Sequence, residues 1–546
     1  MSLQSTAPDP IPDETVRVAR AAFPKGNRYL RLRDTLGTVF TDAPFADLFA
    51  LRGQPALPPW RLALVTVFQF LEELSDRQAA EAVRSRIDWK YALSLSLTDA
   101  GFDYSVLTEF RARLLAGNAE QRLFDTLLDL CATHGYLRAR GQQRTDATHV
   151  LGVLRVLNRL ELVGETLRAA LTAVAQAEPA WLASHGDAAW ADRYGHRVEN
   201  YRLPKGEAAR TAYALQVGAD GLAFGDAVTA ADAPTALRGL PAVAVLCQVW
   251  RQQYALLEGV VQLRAATDQP PSAQLIRSPY AAEARLAVKR DTAWIGYKLH
   301  LTETCDEAPH LLTAVTTTAA TTADSAQLDQ IQAQLAATAR LPQAQYVDSG
   351  YVSGDTLAAS AARGVTLVGP PLGDQRWQAQ RRAGYAQADF RIDWEAQLAH
   401  CPQGQTSVHW YPYRRGDKQR IKVVFGQAAC AACPLRGQCT QSATRPRSLT
   451  LQSQAAYAAL QAARQVAQEP TFATRYARRA GIEGTLSQGV RGFGLRHARY
   501  RGQAKTYLQH LASASAMNLV RLDAWFTQVP LAGTRASPLR LLRPAA

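Results

Sequence analysis

The sequence predicts an α/β fold: a mixed sheet wrapped by helices, interrupted by two long insertions and preceded by an α-helical domain. Three observations carry this expectation. Short apolar or β-branched runs recur at residues 142–151, 294–304, 310–319, 344–352 and 365–371, with one amphipathic helical stretch among them. Residues 153–290, between the first run and the second, read mainly as helix. Residues 372–470 break the pattern again and carry a cysteine cluster.

Taken in order, residues 1–28 are polar and Pro-rich and read as a flexible arm. Residues 29–140 read as a helical domain. PPWRLALVTVFQFLEEL starts on prolines with helical apolar spacing, Ser75 is a natural N-cap for the next helix, and Gly135 a C-cap signal. Arg77, Arg84, Arg86, Arg111 and Arg113 on these helices are either a DNA-facing set or a solvated face. QQRTDATHVL then has β-branched residues around one aspartate and predicts a strand. WIGYKLHLTET and HLLTAVTTTA alternate as a hairpin does, and DSAQLDQIQAQLAATARL is amphipathic. AQYVDSGYV predicts a strand ending in a Gly turn, and VTLVGPP one stopped by prolines. The sheet-bearing region thus spans 141–522, its last part (471–522) helical and very basic, and 523–546 reads as a tail.

Bulk properties agree. At 546 residues, and ~150 residues per domain, three or four units are expected. Apolar residues make up 47% and charged residues 20%, which excludes a largely disordered chain. The net charge of +14, with Arg outnumbering Lys 53 to 8, favours a polyanionic partner, nucleic acid above all. The first residues lack an apolar core and no apolar run approaches the ~20 residues of a membrane span, so a cytoplasmic protein without a membrane partner is expected.

Three acids stand out. Asp146 lies in a predicted strand otherwise free of acids. Asp348 ends an apolar strand, where open α/β sheets bind ligands. Glu483 is the only acid between Glu469 and Asp523, amid Arg475, Arg478, Arg479, Arg491, Arg496, Arg499, Arg501 and Lys505. A surface that binds phosphate has little use for a lone carboxylate; a metal site at a phosphodiester does. Tyr476, Arg479 and Glu483 share one helical face by their spacing. Carboxylates brought together from separate elements suit two Mg²⁺ ions about 4 Å apart.

Four of the seven cysteines cluster: Cys401, Cys430, Cys433 and Cys439, two of them as CxxC. Four thiolates suit tetrahedral structural Zn²⁺, a zinc-ribbon-like arrangement, with His400 or His409 as possible substitutes. A redox pair or buried thiols are the alternatives.

TDATH, YVDSGY, YARRAGIEGTLSQGVRGFGLRHARYRGQAK and SDRQAAEAVRSRIDWKYALSLSL resemble the DDE transposases of bacterial insertion sequences. The match is to the group with a long first insertion and a cysteine-bearing second one, and covers residues 30–522. The resemblance implies an RNase H-like catalytic domain with Asp146, Asp348 and Glu483 as its acids, holding two Mg²⁺ (or Mn²⁺) ions. It also implies that 29–140 binds DNA or dimerises, and that a homodimer or higher homo-oligomer works on terminal inverted repeats and target DNA, beside the nucleoid. Tyr476, Arg479 and Glu483 match the family signature, but its later lysine falls on Val490, leaving Arg491, Arg496 and Lys505 as candidates for that role. Arg499 and Arg501 complete the expected DNA-binding set. Relatives hold a flipped base on an aromatic ring near the second acid, a place for which Tyr351 and Trp377 are the candidates. An inactive DNA-binding relative, or a nuclease of RNase H-like fold that does not join strands, would share these features.

Overall fold

The computed structural model describes residues 2–3, 8–155, 157–289, 291–306, 309–381, 384–416 and 418–529. Strand β1 (Gln142–Leu151) is the axis of a mixed sheet with β2 (Arg285–Lys289), β3 (Thr292–Thr304), β4 (Leu312–Ala319), β5 (Ala344–Tyr346) and β6 (Thr366–Val368). β3 runs antiparallel to β1, to β4 and to β2, whereas β5 and β6 are parallel to β1 and to each other. The predicted order of elements is therefore observed, with one strand more, β2, ahead of the hairpin. β3 and β4 form the expected hairpin, and helix α11 (Asp324–Ala337) follows.

The N-terminal helices are α1 (Asp13–Ala22), α2 (Arg28–Leu36), α3 (Pro59–Leu71), α4 (Asp76–Ser85), α5 (Ile87–Ala92), α6 (Ser105–Ala116) and α7 (Arg122–Thr133). α3 is apolar nearly all round and accordingly buried nearly all round. Ser75 caps α4 reciprocally with Gln78, as its sequence predicts. The arm reading of 1–28 is corrected: α1 is a formed helix, held by Thr15, whose buried hydroxyl donates to the Leu95 carbonyl. Ala19 packs with Leu30 and Tyr91.

The boundary at residue 140 does not separate two cores. Phe68, Trp89, Phe110 and Leu127 of the helical region lie in one continuous apolar cluster with Leu299 and Leu301 of β3 and Leu511, Met517 and Leu519 of the last helix, α16 (Gln503–Phe526). α16 is the reason. It buries residues on every side, and Asn518 ties it to the sheet, accepting from the Leu312 N–H at 2.8 Å and donating to the Leu312 carbonyl at 3.0 Å. Asp523, expected as the first residue of a tail, accepts from Arg28 and Arg31 instead. The remaining tail reading, at 530–546, lies outside the described residues.

The first insertion has its own core. Helices α8 (Arg159–Ala177), α9 (Glu207–Thr229) and α10 (Pro241–Gln253) pack through Leu167, Val174, Val217, Phe224, Leu246 and Val249. The helical reading fails at its end: Tyr254–Leu257 and Val260–Leu263 form a hairpin. Glu258 and Gly259 both take positive φ, 49° and 80°, which is the two-residue turn that matches strand twist and stops a helix. β2 also falls inside the range read as insertion, so the sheet resumes at Arg285.

The second insertion builds β7 (Arg391–Asp393), β8 (Leu398–His400), β9 (Ser407–Arg415), β10 (Lys418–Phe425) and β11 (Ser448–Leu451) around Phe390, Val423, Phe425, Leu449 and Leu451. Helix α12 (Gly354–Ala362) follows Asp348, and α13 (Gln454–Val466) returns from the insertion to pack on it.

Asn518→Ala leaves both backbone groups of Leu312 buried without partners. A loss of about 2–4 kcal/mol is expected, read as a lowered urea midpoint of the N-terminal helices and the sheet together; an unchanged midpoint refutes the bridging role.

Candidate active site

The alternation of β1 sends Arg144, Asp146 and Thr148 to one face of the sheet, opposite Glu303, Leu301 and Leu299 of β3. On that face lies a helical run, α14 (Thr471–Tyr476), a 3₁₀ turn (Ala477–Ala480) and α15 (Gly481–Gly492). The tightening at 477–480 has a local cause. Arg144 Nη1 donates to the Arg478 carbonyl at 2.8 Å, competing for the acceptor that the α-helical ladder would use. At Gly481 a Cβ would come within 2.0 Å of the Arg144 guanidinium, so glycine is what lets the helix cross there.

The guanidinium of Arg144 is itself fixed by Glu303, directly across the strand pair. Glu303 is wholly buried. Its Oε1 accepts from Arg144 Nε at 2.6 Å, and its Oε2 from Arg521 Nη1 at 2.6 Å and the Thr485 hydroxyl at 2.5 Å. Thr485 stands two residues past Glu483, and Arg144 two before Asp146. One carboxylate thus sets the strand of the first acid, the helix of the third and α16 relative to one another.

Above this node Arg479 reaches both acids. Its Nη2 donates to Asp146 Oδ2 at 2.5 Å and its Nη1 to Glu483 Oε1 at 2.8 Å. Its Nε is buried with no partner among the described residues. Burial pushes the Asp146 carboxyl up to about 6, helped by the nearby charge of Asp348 and opposed by Arg479, the Ala147 N–H and Lys289. Asp348 lies just past β5, and its Oδ1 accepts from the Gly350 N–H at 2.9 Å. The charges of Asp146, Asp348, Glu483 and Arg479 all act on Tyr476, so the three predicted acids share one neighbourhood. They are not gathered at one point: among the described residues no group of three or more His, Cys, Asp or Glu side chains is arranged to hold a metal ion.

The predicted basic set divides. Arg491, Arg501 and Lys505 are exposed. Arg496 donates from Nε to the Thr148 hydroxyl at 3.0 Å, which makes it, of the three candidates for the displaced lysine, the one that reaches the strand of Asp146. Arg499 is instead a structural tie, donating to the Leu74 carbonyl at 2.9 Å and lying over Phe70. Tyr476 is half-buried, stacked on Phe472 and packed against β5 and β6. Tyr351 offers no platform for a base: it is fully buried, with its hydroxyl 2.7 Å from His300 Nδ1. Among the N-terminal arginines, Arg86 pairs with Glu72 and Asp88 and Arg111 with Asp76, whereas Arg77 and Arg84 are exposed.

Sequence reading missed Glu303, Lys289 and Asp324. Glu303 carries the signal used for Asp146, an isolated acid within a strand. Asp324 pairs with Lys298 at 2.9 Å, and a Cβ on Gly350 would sit 3.1 Å from Asp348 Oδ1 and 3.2 Å from Asp324 Oδ2, so this pair lies directly behind the second acid.

Cys401, Cys430, Cys433 and Cys439 line one small cavity of about 30 Å³ with Phe390, Phe425 and Arg447. Burial raises the Cys439 thiol, Arg447 draws it down, and the other three cysteines raise it further.

Residues 400–523, which include Tyr476, Arg479 and Glu483, match the family described as transposase DDE domain. Residues 17–113 match the family described as transposase domain (DUF772). No curated protein and no solved structure matches the chain. The two family matches support a DDE transposase of an insertion-sequence type. No helix among the described residues is long and apolar enough to cross a membrane.

A carboxyl raised from 3.8 to about 6 on folding contributes its stability below its ordinary range and loses it as pH rises through about 6. In chelator, wild type should therefore lose on the order of 3 kcal/mol relative to Asp146→Asn between pH 3.5 and 8, measured as the difference in unfolding midpoints. Parallel pH profiles would refute the assignment.

Proposed function

We propose that this transposase binds the terminal inverted repeats of its own element as a homodimer or higher homo-oligomer. There it cuts and rejoins DNA with Asp146, Asp348 and Glu483 as catalytic carboxylates. The reading rests on one observation above others: Arg479 bridges Asp146 and Glu483, acids from distant parts of the chain. The strand order β4–β3–β1–β5–β6, its first three strands antiparallel and its last two parallel, supports an RNase H-like catalytic domain.

The donor set fits Mg²⁺ or Mn²⁺. All three groups are carboxylates, and a single positive charge, that of Arg479, already lies between two of them. Asp146, Asp348 and Glu483 would hold two such ions, which supply a more acidic attacking water and stabilise charge on the leaving oxygen. The rest is the work of the protein's own side chains. Glu483 is long and exposed, so it can leave Arg479 for a cation. Arg479 would then be free to turn to the scissile phosphate, with an Nε–H that has no partner among the described residues. Arg496, anchored beside β1, offers a second guanidinium to the same strand.

In the first step a water oxygen bonds to phosphorus as the bond from phosphorus to the 3′ oxygen breaks. This leaves a 3′-hydroxyl on the element and a 5′-phosphate on the flank. In the second step that 3′-hydroxyl attacks a phosphorus of target or complementary DNA and expels the 3′ oxygen there. The first step is a hydrolysis, downhill in water; the second exchanges one phosphodiester for another, so neither needs an outside energy source. Such a protein acts in the cytoplasm, on the nucleoid.

The four clustered cysteines would hold a structural Zn²⁺. Their all-thiol donor set and the small cavity they share support this; as they stand they are not arranged around an ion, so binding would draw the four thiols together.

Asp348→Ala should lower Mg²⁺-dependent cleavage of end DNA by at least about 10³-fold, some 4 kcal/mol of barrier, while end binding in chelator is retained; undiminished cleavage would sink this assignment of the acids. For zinc, purified protein should carry one equivalent by elemental analysis, lost in Cys433→Ser with a lower melting temperature. A metal-free wild type of equal stability argues against the site.

A further inference from the structure

We infer that the tip of the β9–β10 hairpin is a ribbon that seats in a groove of duplex DNA, with Arg414, Arg415 and Lys418 against its phosphates. This rests on the transposase reading for its partner but not on the catalytic acids.

Charge is the first support. Between residues 396 and 468 the chain has nine Lys and Arg against a single acid, Asp417. Three of the nine, Arg414, Arg415 and Lys418, sit at the hairpin tip and are exposed. The second support is the way the hairpin outgrows its sheet. β11 pairs with β10 only from Ile421 to Val424. Beyond that the ladder continues as two strands alone, through Tyr413↔Arg420, Arg414↔Gln419 and Arg415↔Lys418. Three further pairs carry the tip about 10 Å past the third strand.

Except at Arg420, neither face of this extension is packed. Tyr411, Tyr413, Arg415 and Lys418 alternate on one face and are exposed. The other face, with Pro412 and Arg414, overlooks an open cleft of about 620 Å³ shared with Trp394 and Trp410. A two-stranded ribbon without a core is marginal by itself, and a basic one has the width that the major groove of B-DNA admits. Its root is fixed. Arg420 Nη2 donates to Asp355 Oδ2 at 3.1 Å, in the first turn of the helix that follows Asp348. A duplex held by the ribbon therefore lies beside the candidate site rather than at a remote face.

Each phosphate neutralised by the protein contributes about 0.9 to the slope of log affinity against log salt on B-DNA. The full-length protein is titrated in chelator with a labelled duplex of the element end, across a range of salt. The triple variant Arg414→Ala, Arg415→Ala, Lys418→Ala is compared with wild type and with Arg414→Lys, Arg415→Lys. The triple alanine variant should lower the slope by roughly 2–3 and weaken binding most at low salt, with its melting temperature unchanged. The lysine variant should keep the slope. Asp348→Ala should keep both slope and affinity, so loss of cleavage and loss of the ribbon contact are told apart. An unchanged slope in the triple variant overturns the proposal. So does a loss confined to single-stranded DNA, which would make the exposed tyrosines a stacking surface instead.

Discussion

The architecture of the candidate site hangs on one buried carboxylate, Glu303, which is none of the three predicted acids. Glu303 is withdrawn from water between two guanidiniums and a hydroxyl, each from a different element. Burying a charge this completely is tolerable only when every lone pair is answered, and removing one partner of such a group typically costs about 3–5 kcal/mol. The direction of the constraint matters more than its size. Arg144 is pinned by Glu303, Arg144 takes the Arg478 carbonyl, and that tightens the helix where Arg479 leaves it. The bridge from Arg479 to Asp146 and Glu483 is thus specified from below, by groups that never meet a substrate.

Much of this was legible in the residues and some was not, for reasons that can be named. β1 and the β3–β4 hairpin were readable because β-branched and apolar residues recur along them, although the structure buries both faces of these strands and not alternate residues alone. Glu483 was readable because charge is a one-dimensional signal: a lone acid in a basic stretch stands out without any structure. Glu303 was not singled out, because an acid near the end of a strand looks the same whether it faces water or two arginines. The hairpin at 254–263 was misread because Tyr254–Leu257 continues the apolar pattern of the preceding helix, and only the Glu258–Gly259 turn tells them apart. Arg499 was misassigned since sequence cannot distinguish a guanidinium offered to phosphate from one closing on a backbone carbonyl.

The two insertions relate to the sheet differently. The first carries its own apolar core, so its interior need not be shared with the sheet. The second is tied back by α13 packing on α12 and by Arg420 on Asp355, both at the helix that begins just after Asp348. Movement of its hairpin would be felt first at the second acid, and only through α14 and α15 at the third. The hairpin thereby has a short mechanical route to Asp348.

The sharing of one core by the N-terminal helices, the sheet and α16 has a consequence for biosynthesis. Domains commonly fold as they leave the ribosome, N-terminal part first. Here Phe68, Trp89 and Leu127 wait for partners such as Leu511, Met517 and Leu519, which are translated some four hundred residues later. Until α16 emerges, the early helices expose their apolar surfaces and the sheet lacks its cover. A chain that stops before residue 503 lacks Leu511, Met517 and Leu519 and leaves this shared core incomplete, whereas the first insertion keeps a core of its own.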